Sequence, residues 1–207
     1  NVNHTYKVNF RLADGKPKSF LVQNVNTYAF RDPVGLMENI DKVTEHIRAK
    51  CPGRTCLHFH HTADRKTYVI DGSNFWRMTN YIPSVTFNTV KDTEIIRNAG
   101  RVFGEFQNQL SDFEIASLRE TIPGFHDTRK RYAAFKAAVD EDKAGRASSV
   151  QEEIRFLLDH EDLACTLTDL YNEGKLPLRV THNDTKINNV LFSSEDHQAL
   201  VVIDLDT

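Results

Sequence analysis

Apolar and polar positions alternate from the start of the chain. Tyr6, Val8, Phe10 and Leu12 fall on one side of an extended segment, which predicts a half-buried strand. Asp14-Gly15 supplies a turn, and Phe20 to Val25 returns as a second strand. The period then changes. Asp32-Pro33 starts a helix, with Asp32 as N-cap and Pro33 at the first helical position. Leu36, Ile40, Val43 and Ile47 recur on one helical face, and Pro52-Gly53 ends it. Lys66 to Ile70 and Phe75 to Ile82 flank Asp71-Gly72, a hairpin signal, and Pro83 opens a connector.

From Asp92 onward helices dominate. Ile95, Ile96, Ala99, Val102, Phe103, Phe106 and Leu110 form a long stripe capped by Asp92, and this stripe is core. Asp127 caps a second helix containing Tyr132, Phe135 and Val139, and Asp140 to Ser148 reads as a loop. Ser149 with Glu152 forms a capping box for a helix reaching about Tyr171, which Asn172-Glu173-Gly174 stops. Two short apolar runs, Val190 to Phe192 and Leu200 to Ile203, then return as strands around the polar turn Ser193 to Gln198. Strands, then helices, then strands make an α+β chain. The first hairpin, helix and second hairpin make a small antiparallel sheet carrying one helix.

Composition narrows the function classes. The chain has 207 residues, 40% hydrophobic and 27% charged, with 26 basic and 29 acidic residues. A net charge of −3 excludes a polybasic nucleic-acid surface and requires at most a local basic pocket. No apolar run approaches the roughly 18 residues of a membrane span, so neither nucleic acid nor membrane is an expected partner. Three cysteines, Cys51, Cys56 and Cys165, are too sparse for a disulfide framework and point to a reducing, cytoplasmic compartment. Both ends read as cut: the chain opens directly on a strand and stops just after a buried one.

The segment His182 to Asn189 reads H-x-D-x-K-x-x-N, and a strand, a turn and a strand follow it to Ile203-Asp204-Leu205-Asp206. Phosphoryl transfer from ATP needs a carboxylate to orient the acceptor hydroxyl and take its proton. It also needs a cation for the transferring charge, and an oxygen ligand with a second carboxylate for Mg2+. Asp184, Lys186, Asn189 and Asp204 supply these in that order. Asn183 lies beside the acceptor hydroxyl, and His182 holds the loop by hydrogen bonds.

These residues resemble the aminoglycoside phosphotransferase and choline kinase group, and within it the N-acetylhexosamine 1-kinases. The similar segments run through most of the chain: Asn3 to Tyr6, Val25-Asn26-Thr27 with Phe30, Leu36 to Ile40, Asn74 to Arg77, Thr121 to Thr128 and His182 to Asn189. The resemblance implies a bilobal protein-kinase-like fold. A small nucleotide-binding lobe would span residues 1–82, and a helical lobe 83–207 whose C-terminal part is absent. It also places Asn3 and Thr5 in the nucleotide loop, Tyr81-Ile82-Pro83 at the hinge beside the adenine, and His126 near the acceptor. The implied acceptor is an amino sugar; an aminoglycoside, choline or another sugar are the alternatives within the group. One departure stands out. The strand Phe20 to Asn24 offers Gln23 or Asn24 where kinases of this fold carry a lysine, so Glu38 on the next helix loses its partner and faces solvent. That gap is what favours a different class, a nucleotide-binding pseudokinase or regulatory domain. The complete set of Asp184, Lys186, Asn189 and Asp204 opposes it.

The stretch containing Cys51, Cys56, His58, His60 and His61 lacks the tight pairs of a structural zinc site. Alternation puts His58 and His60 on a face that excludes His61, and no metal is expected there.

Overall fold

The computed structural model describes residues 2–207. Two compact units make up the chain: one contains the residues up to Ile122 together with Val180–Thr207, the other Pro123–Arg179. The expected lobes, divided after Ile82, are a different partition, because residues 83–122 and 180–207 pack in the same unit as the sheet.

The first unit is built on a four-stranded antiparallel sheet of order β1-β2-β4-β3, with β1 at His4–Arg11, β2 at Pro17–Val25, β3 at Tyr68–Asp71 and β4 at Asn74–Asn80. The β3–β4 turn falls on Gly72-Ser73, one position later than the sequence signal indicates, because Asp71 still pairs with Asn74. Gly72 adopts φ 58, the left-handed region that a glycine enters without a Cβ clash.

Between β2 and β3 runs α1, Pro33–Lys50, with the Asp32 carboxylate accepting from the Gly35 N–H as its cap. That cap is worth about 1 kcal/mol. Leu36, Met37 and Ile40 bury against Val25, Phe30, Phe59 and Phe75 under the sheet. One and two turns on, Val43 and Ile47 join α2, Thr93–Gln109, and the hairpin of β5, Val190–Phe192, with β6, Ala199–Val202. Val102 and Phe106 of α2 face Val190, Phe192 and Val202 in this second core. One helix therefore serves two cores.

Glu38 does not simply face solvent as the sequence suggested. Its carboxylate pairs with the Arg119 guanidinium at 2.9 Å, and Asn39 bonds the Arg119 backbone at both N–H and C=O. The histidines of the Cys-His stretch are also engaged. His58 contacts Arg48 and Glu45, His60 contacts Asn80, and His61 contacts Asp41. Phe59 bridges Thr79, which seats this segment beside β4.

The second unit holds α3, Thr128–Glu141, α4, Gln151–Asp159, and α5, Glu161–Asn172. The single helix expected from Ser149 to Tyr171 is two helices, broken at His160, whose ring bonds the Phe156 carbonyl at 2.7 Å. The expected capping box is also absent: Ser149 donates to the Arg146 carbonyl, and the Asp142 carboxylate caps the Arg146 and Ala147 N–H groups instead. Arg129 ties α3 to α5 through Asp169, Glu161 and Asp162, and its pKa is raised, by Asp169 foremost and then by Asp162. Among the described residues, no helix is long and apolar enough to cross a membrane.

Candidate active site

The H-x-D-x-K-x-x-N loop lies between Val180 and β5. Asn183 turns the chain with φ 64, a conformation asparagine tolerates better than most residues, and its side-chain oxygen accepts from Thr181 at 2.5 Å. His182 is 2% exposed, with Phe103 and Phe106 edge-on to its ring. Nε2 lies 2.8 Å from the Ile203 carbonyl, and Nδ1 accepts from the Asp184 N–H at 3.3 Å. A carbonyl only accepts, so these partners assign the neutral tautomer with its proton on Nε2. Both ring nitrogens are then used, and His182 holds the loop to the strand before Asp204.

A second tie runs the same way: the Ile203 N–H donates to the Asn189 carbonyl at 2.8 Å, which brings Asp204 alongside Asn189. Asn189 itself is 4% exposed. Its amide nitrogen donates to the Asp184 carboxylate (Oδ2, 2.9 Å) and carbonyl (3.0 Å). The Lys186 ammonium sits 2.5 Å from the same Oδ2, so both contacts fall on one carboxylate oxygen. The Lys186 contact, seconded by Asn189, holds the Asp184 carboxyl below the usual carboxylate range against a smaller raising effect of burial. The same pairing raises the pKa of Lys186. Asp184 is therefore anionic at neutral pH.

Asp204 adopts φ 65, a left-handed conformation rare for a residue with a Cβ. It lies exposed on one side and crowded by protein on the other. That crowding raises its pKa, Asp206 adds to the effect, and Arg77 and Lys186 oppose it. The donor set suits Mg2+, a hard cation that takes oxygen ligands and keeps several waters. Asn189 spends its amide hydrogens on Asp184, so its amide oxygen is free to join the Asp204 carboxylate.

The remaining expected residues are dispersed. The Thr5 hydroxyl accepts from Gln23 at 3.0 Å. Asn3 is buried, with its nitrogen on Asp206 (2.7 Å) and its oxygen on the Asn26 N–H (2.9 Å). Tyr81 follows β4 with the Lys7 ammonium 3.8 Å above its ring, and the Ile82 carbonyl accepts from Ser84. Val85 then pairs with Phe192 through two 2.9 Å backbone bonds, so the connector ends on the strand that follows the loop. His126 lies in the second unit, edge-on to Phe125 at the entry to α3.

Two residues escaped sequence reasoning. Arg77 and Asp206, with side chains 3% and 2% exposed, form a bidentate ion pair of 2.5 and 2.9 Å. Gln23 accepts from Arg77 Nε at 2.9 Å, so the strand position expected to hold a lysine instead supports an arginine on the neighbouring strand. The signal was present: Phe75, Arg77 and Thr79 share the inward face of β4, and a cation there requires a buried anion.

Residues 9–207 match the model of the phosphotransferase enzyme family (APH), and the chain belongs to that family. Among solved structures it is similar to spectinomycin phosphotransferase APH(9)-Ia in complex with ADP and spectinomycin, at 14% identity and a TM-score of 0.52, covering 99% of this chain and 63% of that one. The AMP-bound complex of spectinomycin phosphotransferase APH(9)-Ia gives 16% and 0.59, covering 98% and 64%. An aminoglycoside phosphotransferase from Alicyclobacillus acidocaldarius gives 13% and 0.51, covering 98% and 61%. At these identities the likeness is one of fold: an α+β, kinase-like architecture with an antiparallel-sheet lobe and a helical region. The chain spans less than two thirds of the length of each of these structures.

Proposed function

We propose that this chain carries the reaction centre of an ATP-dependent phosphotransferase that moves the γ-phosphoryl group to a hydroxyl of a small molecule. The observation that carries the reading is the joint placement of Asp184, Lys186 and Asn189 with the Asp204 segment, tied by the Asn189–Ile203 and His182–Ile203 bonds. In the reaction, Asp184 Oδ1 accepts the hydrogen bond of the acceptor hydroxyl and takes its proton as the oxygen attacks phosphorus. The new P–O bond forms while the bond from the γ-phosphorus to the bridging β-oxygen breaks, leaving ADP. Lys186 turns from Asp184 to the transferring phosphoryl charge, which removes a cation from the base as the proton arrives. Asn189 and Asp204 would hold Mg2+, whose charge neutralises the phosphates. Thr5 would lie over the phosphates and the connector at Tyr81-Ile82 beside the adenine.

For the acceptor we propose an N-acetylhexosamine, phosphorylated at its anomeric hydroxyl. The support is the resemblance of Thr121 to Thr128 and of His182 to Asn189 to the hexosamine 1-kinases. A neutral sugar needs only hydrogen-bond partners around one hydroxyl, which Asp184 and Asn183 would provide. Choline needs an aromatic cage, and the single tryptophan, Trp76, packs near Tyr6 on the sheet. A polycationic aminoglycoside needs a strongly acidic pocket; of Asp159, Glu161 and Asp162, the last two are engaged by Arg129, and an exposed helix end accounts for all three.

The test is a transfer assay with Mg-ATP against N-acetylglucosamine, N-acetylgalactosamine, choline and spectinomycin, with the phosphorylated position read by NMR. Anomeric phosphorylation of an N-acetylhexosamine is the expected result. Activity confined to choline or spectinomycin would overturn the acceptor and leave the reaction. Mg-ATP binding without transfer to any acceptor would favour a pseudokinase.

A further inference from the structure

The Arg77–Asp206 pair has no part in the chemistry above, yet it lies directly behind it. Arg77 is the charged residue on the inward face of β4. Besides Asp206 and Gln23, its guanidinium meets Met37 Sδ at 3.7 Å and the Phe59 ring at 5.4 Å. Asp206 Oδ2 also accepts from Asn3, which in turn caps the Asn26 N–H. Two parts of the sheet region, β4 and the segment before β1, therefore converge on one carboxylate. Burying two charges is a poor way to gain stability, because apolar side chains of similar volume often do as well. What such a pair does supply is a fixed register between the segments it joins.

Here the joined segments are β4 and the stretch containing Asp204. Ile203, immediately before Asp204, is pinned by Asn189 and His182. Asp206, immediately beyond Leu205, is pinned by Arg77. Asp204 sits between the two anchors at φ 65, and a strained non-glycine residue persists only when its surroundings over-determine it. We propose that Arg77 and Asp206 are positioning residues for Asp204: the buried pair clamps the far side of the strained residue and so aims its carboxylate at the site shared with Asn189. β4 thereby contributes the cation that β2 lacks, acting from behind the site instead of on the phosphates. The inference rests on the reading that Asn189 and Asp204 hold Mg2+.

The test is calorimetric titration of ATP into the purified protein at a series of free Mg2+ concentrations, for wild type, for Asp206→Asn and for the double variant Arg77→Met/Asp206→Leu. The double variant removes both charges without leaving a lone buried ion, so its melting temperature is expected to stay near that of wild type. In both variants the Mg2+-dependent gain in ATP affinity should fall at least tenfold, while affinity without Mg2+ stays within about twofold. A folded variant that keeps the full Mg2+-dependent gain would overturn the positioning role. If the double variant does not fold, Asp206→Asn decides alone. A wild-type protein with no Mg2+-dependent gain would instead remove the reading of Asn189 and Asp204 on which the inference rests.

Discussion

Asp184→Asn is expected to lower kcat by about two to four orders of magnitude while leaving the affinity for ATP nearly unchanged. The substitution keeps the shape of the side chain but removes its ability to hold a proton. It also turns an amide nitrogen toward the Lys186 ammonium or the Asn189 amide, both of which now donate to Oδ2. Neither change touches the connector at Tyr81-Ile82 or the carboxylate of Asp204, so nucleotide binding should survive. Steady-state turnover and calorimetric ATP binding, measured on the same preparation, separate the two quantities. A variant with near-normal turnover would remove Asp184 from the base position.

The largest expected effect on stability comes from Arg77→Ala. Truncation leaves the Asp206 carboxylate buried at 2% exposure with only the Asn3 amide as partner. Breaking a buried ion pair from one side costs about 3–5 kcal/mol, a large share of the 5–15 kcal/mol by which domains are ordinarily stable. The surface pair Arg119–Glu38, with side chains 59% and 40% exposed, is the contrast. Arg119→Ala at that exposed pair should cost no more than about 1 kcal/mol. Urea unfolding of the two variants beside wild type measures both numbers. A cost below about 1 kcal/mol for Arg77→Ala would mean that water reaches Asp206 and that the pair is not buried in solution.

The parts of this protein that were legible in its sequence are those whose causes are local. Asp32, Asp92 and Asp127 each cap a helix because a carboxylate one turn from a free N–H needs no distant partner. The contacts inside the His182–Asn189 loop are local in the same way: Asp184, Lys186 and Asn189 meet within five positions. The departures follow the same logic in reverse. Arg77 meets Asp206 across 129 positions and Asn3 meets it across 203, and no periodicity within a strand or helix encodes such a pairing. Glu38 found Arg119, 81 positions further on (119 − 38), where the nearby strand offered nothing. The break between α4 and α5 falls at His160, whose ring bonds the carbonyl of Phe156 one turn back, and the apolar spacing of the segment does not forecast it. Local order set these contacts, and long-range pairing fixed the frame around them.

The most direct test of the phosphotransferase reading is whether nucleotide binding depends on Mg2+ through Asp204. ATP is titrated calorimetrically into wild type and into Asp204→Ala, each with and without Mg2+. Asp204 has an exposed side and belongs to neither core, so the substitution should leave the protein folded. The account predicts tight binding by wild type that weakens sharply when Mg2+ is withheld, and weak binding by Asp204→Ala that Mg2+ no longer improves. An Asp204→Ala protein that binds Mg-ATP as tightly as wild type would contradict it and move the metal site elsewhere.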